Sequence, residues 1–113
     1  MESLNGIVKF YYPTENGLLE HLDLEKVFKD VPKLYETENQ SNPTAFVKFK
    51  SMIGKGEWFI TEAQVEGDDV MMFGYVKLFE NEWGYISLTE LLNTGMITLD
   101  QAFKPTKINK VKA

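Results

Sequence analysis

Acidic side chains are the group in this sequence with the most evident capacity for chemistry. Glu62 is predicted at the end of a strand, Asp68 follows in the acidic turn 65–69, and Glu82 lies in the next turn. Carboxylates bind Mg²⁺ or Ca²⁺, and two with separated pKa values act as general acid and general base. Glu62 and Asp68 are therefore the candidate catalytic residues of a small metal-dependent hydrolase or nuclease, our alternative hypothesis. The turn lacks the ligand spacing of a calcium-binding loop, which favours a solvated turn.

Aromatic side chains on predicted strands form the second group. Neighbouring strand residues point to opposite faces, so Trp58 and Phe59 cannot share one core, and both sheet faces carry rings. One face packs helices; the other is a binding surface, or is covered by a further element or a second copy of the chain. Tyr and Trp anchor protein interfaces and also stack on nucleotide bases, which makes a nucleotide or small-ligand binder with Trp58 or Tyr75 stacking another alternative. The candidate binding residues are Trp58, Tyr75, Trp83, Tyr85, Glu62 and Glu82.

The residue types that are absent exclude several kinds of site. The 113 residues contain no Cys, no Arg and one His, His21, which we expect on the surface of a helix. Thiol nucleophiles, thiolate zinc sites and guanidinium forks for phosphate are therefore excluded. Twelve basic against seventeen acidic residues give a net charge of −5, which disfavours direct nucleic-acid binding. No phosphate loop or nucleophile elbow is present, so we predict neither a cofactor nor a resident metal, and a protein without catalytic activity is favoured.

The first third of the chain is predicted to hold one strand and the longest helix. Residues 6–12 are predicted as a strand, and 14–17 as a turn. Residues 18–31 are predicted as a helix, because Leu24, Val27, Phe28 and Val31 follow helical spacing. Asp23 is a suitable N-cap for the part that begins at Leu24, and proline at position 32 ends the helix.

Further strands are predicted over 44–50, 57–62, 70–79 and 83–87, joined by short turns. Gly74, inside the third of these, indicates a β-bulge or a close approach of two backbones. Ser87 and Glu90 have the spacing of a capping box and open a short helix over 88–93, with Gly95 beyond its end. The predicted fold is a single α+β domain over residues 1–105, with an antiparallel sheet of four to five strands, a longer N-terminal helix and a short C-terminal one. Residues 106–113 are predicted as a flexible basic tail.

Several of these segments together resemble one known family. They are Pro32-Lys33-Leu34-Tyr35, Asn42-Pro43, Trp58–Glu62, Phe73–Val76, Glu82–Leu91, Asp100 and Phe103-Lys104-Pro105. The chain resembles members of the domain of unknown function 2958 family over about residues 30–105. That resemblance implies a small cytoplasmic accessory protein of bacteria, plasmids and phages, with no catalytic residues to carry over. Many members carry a Glu-Arg pair where this chain has Thr98-Leu99, so an anion-binding role for that Arg does not transfer.

These observations together favour a non-catalytic protein-interaction module of mobile-element or phage type. The expected partner is either a host protein or a second copy of the chain in a homodimer. In the first case the module inhibits or modulates the role of the host protein in defence or nucleic-acid processing. An acidic surface can compete for a basic nucleic-acid channel. The first residues do not show the basic segment followed by an apolar one that is typical of a secretory signal, and no apolar run is long enough to span a bilayer. We therefore expect a cytoplasmic protein without membrane contact.

Overall fold

A computed structural model describes residues 8–113, and 43% of these residues lie in strands and 14% in helices. The strands are β1 (Phe10–Pro13), β2 (Leu19–Leu22), β3 (Thr44–Ala45), β4 (Val47–Ser51), β5 (Glu57–Glu66), β6 (Asp69–Lys77), β7 (Asn81–Ser87), β8 (Ile97–Leu99) and β9 (Thr106–Lys107), and the helices are α1 (Leu24–Val27), α2 (Leu88–Asn93) and α3 (Ile108–Lys112). A five-stranded antiparallel sheet with the strand order β7-β6-β5-β4-β8 forms the centre of the fold. Two short strand pairs, β1-β2 and β3-β9, flank it.

The expected α+β class with a longer N-terminal helix is wrong. Of the predicted helix 18–31, Leu19–Leu22 forms β2, which pairs with β1, and only Leu24–Val27 is helical. The hairpin buries Leu22 and Tyr12 in the core. The predicted helix over 18–31 would need tertiary packing of this kind, because an isolated helix of its length has little stability of its own. The part of the predicted strand 6–12 that precedes residue 8 lies outside the described residues.

One face of the large sheet, which we call the core face, packs on the β1-β2 hairpin, α1 and α2. Alternate residues of β4 to β6 supply it, and the hairpin and helices complete it. Part of the apolar stripe that predicted the helix does face this core, since Leu24 and Phe28 are buried in it. Its buried members are Phe10, Tyr12, Leu22, Leu24, Phe28, Val47, Phe49, Ile60, Ala63, Val70, Met72, Leu88, Leu91 and Ile97.

The opposite face, which we call the aromatic face, is covered in part by the segment predicted as a flexible tail. Thr106–Lys107 pairs with Thr44–Ala45, and α3 buries Ile108 and Val111 against Phe59 and Tyr75. The backbone N–H of Ile108 donates to the Pro43 carbonyl at 2.9 Å. The two apolar residues of this basic segment therefore suffice to dock it, whereas its composition indicated fraying.

The cap residues predicted for the two short helices are confirmed. The Asp23 side chain accepts from the N–H of Lys26 at 3.3 Å, and Ser87 accepts from the N–H of Glu90 at 3.2 Å. Gly95 adopts a φ of +79° just after α2, the left-handed conformation that ends helices. None of the helices in residues 8–113 has the length and apolar character that a membrane span requires.

Candidate functional site

A β-bulge in β5 decides which side chains the aromatic face presents. The register of β5 on β6 pairs Ile60 with Gly74 and then Glu62 with Phe73, so Thr61 is an extra residue. Ile60 points into the core, and strict alternation would send Glu62 there as well. The extra residue turns Glu62 to the aromatic face instead. A hydrogen bond from the Thr61 hydroxyl to the Phe73 carbonyl, 3.2 Å long, satisfies the interrupted ladder.

The bulge also explains why β6 contains Gly74, the glycine noted in the sequence of this strand. A Cβ at Gly74 would lie 2.0 Å from the carbonyl oxygen of Phe59, so the two backbones approach more closely than any side chain allows. The close backbone approach predicted at Gly74 is confirmed, whereas the bulge lies in the partner strand β5 and not in β6.

Glu62 is 4% exposed and anchors the loop that crosses the aromatic face. Its Oε1 accepts from the backbone N–H of Tyr35 at 2.8 Å, and its Oε2 accepts from the N–H of Thr37 at 2.9 Å and from the Thr37 hydroxyl. Tyr35 has a φ of +73°, a strained conformation for a residue with a side chain. The carboxylate thus fixes an unfavourable backbone turn that presents the Tyr35 ring.

Four rings line an open groove of about 400 Å³ over Glu62, which we call the aromatic groove. Phe73 stacks on Trp83 with ring centroids 5.5 Å apart, and the Tyr85 ring lies 5.0 Å from Phe73. Tyr35 closes one side at 6.5 Å from Tyr85. Tyr35 and Tyr85 are 60% and 56% exposed, so the groove presents aromatic surface to the solvent.

The electrostatic environment of the aromatic groove is set by two acidic side chains and one lysine. Glu62 lies at its floor, Glu38 lies at its rim, and Lys112 reaches it from α3. A hydrogen bond with the Tyr35 side chain, followed by partial burial and the charges of Tyr35, Glu62 and Glu38, raises the pKa of Tyr85 above its ordinary value. The two carboxylates are thus the smallest contributors to this pKa shift, after the contact with Tyr35 and the burial.

Lys112 places its ammonium group over rings of this face. Its Nζ lies 5.1 Å from the Tyr75 centroid and 5.4 Å from the Trp83 centroid, within the range of cation–π attraction. A second lysine, Lys77, lies 5.8 Å from the Phe59 ring and donates a hydrogen bond to the Val111 carbonyl near the end of α3. Lysine side chains thus connect the last helix to the aromatic face.

The structure brings together three of the six predicted binding residues. Trp83, Tyr85 and Glu62 line the aromatic groove. Tyr75 shares that face but is 8% exposed, covered by α3. Trp58 packs against the core face, which confirms that it and Phe59 point in opposite directions. Glu82 is exposed and pairs with Val76, which puts it on the side of the sheet opposite Trp83.

The proposed catalytic pair is separated. Glu62 is buried under the Tyr35 loop, whereas Asp68 is exposed in the turn after β5. A strand rises about 3.3 Å per residue, so the part of β5 between position 62 and its end at 66 already separates the two carboxylates by about 13 Å. The acidic residue with a clear role in this turn is Asp69, which accepts from the Ser87 hydroxyl and from the Thr89 N–H at 3.0 Å. It therefore caps α2. Within residues 8–113, no group of three or more acidic or His side chains is arranged to hold a metal ion.

These hydrogen bonds act on the Asp69 carboxyl group against the effect of burial. Burial alone raises its pKa, but the bonds from Ser87, Thr89 and Val70 outweigh that effect and lower the pKa below 3.8. His21, expected on a helix, is exposed on β2, with its ring 5.6 Å from that of Tyr11.

A cavity of about 480 Å³ beside the β1-β2 hairpin is less suited to a ligand. The Tyr12 hydroxyl donates to Glu20 at 2.8 Å, and Gln101 donates to both. Burial, together with Glu20, raises the pKa of Tyr12. Lys48 pairs with Asp100 at 3.7 Å. The polar side chains of this cavity form hydrogen bonds and an ion pair with one another, so we interpret them as a structural network.

Two of the four rings of the aromatic groove and its lysine were not singled out as binding residues from the sequence. Phe73 belongs to a strand with several rings, and its strand position alone did not distinguish it from core residues. Tyr35 lies at the edge of a polar segment, where nothing in the pattern shows that Glu62 would hold it. Lys112 falls in the segment expected to be flexible.

The fold and this surface define a small, mainly β protein with an acidic aromatic groove on one sheet face. The model of the family described as protein of unknown function (DUF2958) matches residues 18–107, and the chain belongs to this family. The resemblance found from the sequence motifs is therefore confirmed. No curated protein and no solved structure matches the chain significantly.

Proposed function

We propose that this protein is a non-catalytic protein-interaction module that binds its partner through the aromatic groove. The observation that carries the proposal is the open groove of four rings in which Tyr35 and Tyr85 leave more than half of their surface exposed. Aromatic side chains of this kind supply much of the binding energy of protein interfaces, because they bury large areas at low entropic cost.

The groove is also organised before any partner arrives. Glu62 fixes the Tyr35 loop from below, and Phe73 and Trp83 support each other by stacking. A preorganised surface loses less conformational entropy on binding than a mobile one. The strained turn at Tyr35 fits this role, since such strain concentrates at binding sites.

We propose further that the partner is a host protein that acts in defence or nucleic-acid processing. In this proposal the module is a cytoplasmic protein of mobile-element or phage type. The net charge of −5 supports a basic partner surface, such as one that otherwise contacts nucleic acid. The exposed Glu38 beside the rings adds to this complementarity at the groove itself.

Site-specific photocrosslinking in a bacterial host tests the proposal. A benzophenone amino acid replaces Tyr85 in one variant and Phe79 in a control variant. Phe79 is fully exposed in the β6-β7 turn and does not line the groove. We expect a host protein to crosslink at position 85 and not at position 79.

Binding of the purified partner then gives the quantitative test. Tyr85→Ala should weaken the complex by about thirtyfold, since truncation of an interface anchor costs about 2 kcal/mol, while Phe79→Ala should leave it unchanged. Equal effects of the two substitutions would contradict the proposal. A crosslink only to a second copy of the chain would replace the host partner by a homodimer and would also overturn it.

A further inference from the structure

We infer that the aromatic groove receives a lysine or arginine side chain of the partner and that Lys112 is an intramolecular substitute for it. This inference rests on the proposed function and specifies the chemistry of the contact. Rings with an acidic floor are a known type of receptor for ammonium and guanidinium groups, because the face of each ring carries negative charge density.

The rings are arranged as such a receptor. Phe73 and Trp83 form a stacked pair, and Tyr85 and Tyr35 extend the aromatic surface over Glu62. A cation that enters the groove meets the exposed surface of the Tyr35 and Tyr85 side chains. A purely apolar ligand would meet the same area but would gain nothing from the charge.

Among residues 8–113, no lysine forms an ion pair with either acidic side chain of the groove. Three ion pairs join described residues, and none of them includes Glu62 or Glu38. The Glu62 oxygens accept from two backbone N–H groups and one hydroxyl, all of them uncharged. A buried carboxylate without a counter-charge attracts a cation more strongly than an exposed one, because the surroundings screen it less.

Lys112 shows that a cation is already accommodated at the edge of this surface. Its ammonium lies over Trp83 and Tyr75, yet it has no carboxylate partner among residues 8–113. A basic side chain that reaches Trp83 therefore competes with Lys112 for the same ring. Removing the Lys112 charge should expose Trp83 and strengthen binding of an external cation.

Choline and 3,3-dimethylbutan-1-ol distinguish a receptor for cations from an apolar groove, because the two molecules share one shape and differ in charge. The chain has two Trp residues, so its NMR spectrum contains two indole N–H signals. At constant ionic strength, choline should shift the signal of Trp83 and not that of Trp58, which lies on the core face. The neutral alcohol should bind at least twofold more weakly.

Two matched lysine variants test the role of Lys112. Lys112→Met should tighten choline binding by about two- to fivefold, the range of one cation–π contact. Lys110→Met, an equal change at an exposed site of the same helix, should have no effect. The inference is overturned if the alcohol binds as well as choline, if both indole signals move together, or if the two variants behave alike. A partner that still requires Tyr85 in that event leaves the proposed function intact and removes only the cation.

Discussion

Replacing Glu62 by Gln tests whether this carboxylate organises the aromatic groove. The two side chains have nearly the same shape, but the amide nitrogen donates where the oxygen accepted. In either orientation it faces the backbone N–H of Tyr35 or that of Thr37, both of which now bond to the carboxylate. One buried N–H group therefore loses its acceptor.

The expected loss of unfolding free energy follows from that count. A buried donor left without an acceptor costs about 1–3 kcal/mol. The same bond also holds Tyr35 at a φ of +73°, a conformation that costs about 1–2 kcal/mol for a residue other than glycine. We expect the loop to relax rather than keep this strain, which moves the Tyr35 ring away from Tyr85 and weakens ligand binding in the groove.

Urea denaturation at pH 7, with hydrogen exchange at the Tyr35 and Thr37 amides, measures both effects. Glu66→Gln is the matched control, since Glu66 is exposed at the end of the same strand, and we expect it to stay within about 0.5 kcal/mol of the parent protein. Equal urea midpoints for the two variants, with the Tyr35 amide still protected, would show that Glu62 does not hold the loop.

Three further predictions concern the bulge, the helix cap and the C-terminal segment. Gly74→Ala should lower the free energy of unfolding by about 2 kcal/mol or more, because the new Cβ overlaps a β5 carbonyl, whereas Gly84→Ala, with open space at its Cβ, should be nearly neutral in the same urea titration. Asp69→Asn should cost about 1 kcal/mol at pH 7 through the weakened α2 cap. Because folding lowers the pKa of Asp69 from 3.8, its stabilisation is complete above that pH and disappears as the pH falls through the folded-state value, so parent and variant should converge in acid denaturation curves. Ile108→Ala should cost about 2–5 kcal/mol by calorimetry if α3 is part of the fold, while Lys110→Ala should have little effect; equal melting temperatures would contradict the docking of this segment.

The strands of the large sheet were accessible from the sequence because their signals are local. Alternation and turn residues place β6 and β7 within two residues of their observed bounds, and the Ser87 cap places α2. The predicted strand 57–62 ends four residues before β5 does, and the predicted strand 44–50 is divided into β3 and β4. The long N-terminal helix failed because pairing of residues 19–22 with β1 is a tertiary effect that helical spacing cannot show. The apolar stripe from Leu24 onward did identify residues that face the core.

The candidate site was accessible only in part, for a related reason. The presence of rings on both faces follows from alternation, so Trp83 and Tyr85 could be chosen. The position of Glu62 depends on one extra residue in β5, and the role of Tyr35 depends on a contact across 27 positions of sequence. Neither leaves a periodic signal, although Gly74 marked the place where the bulge would lie.

The inserted Thr61 lies outside the alternation of β5, so the residues on either side of it occupy opposite faces of the sheet whether it is present or not. Deletion of this single codon would restore regular pleating and leave Ile60 inward in the core and Glu62 outward opposite Phe73, as they are now. The hydrogen bond from the Thr61 hydroxyl to the Phe73 carbonyl would be lost with the residue. A frame-preserving deletion at this point should therefore keep the aromatic groove in place, whereas substitution of one of its rings removes part of it.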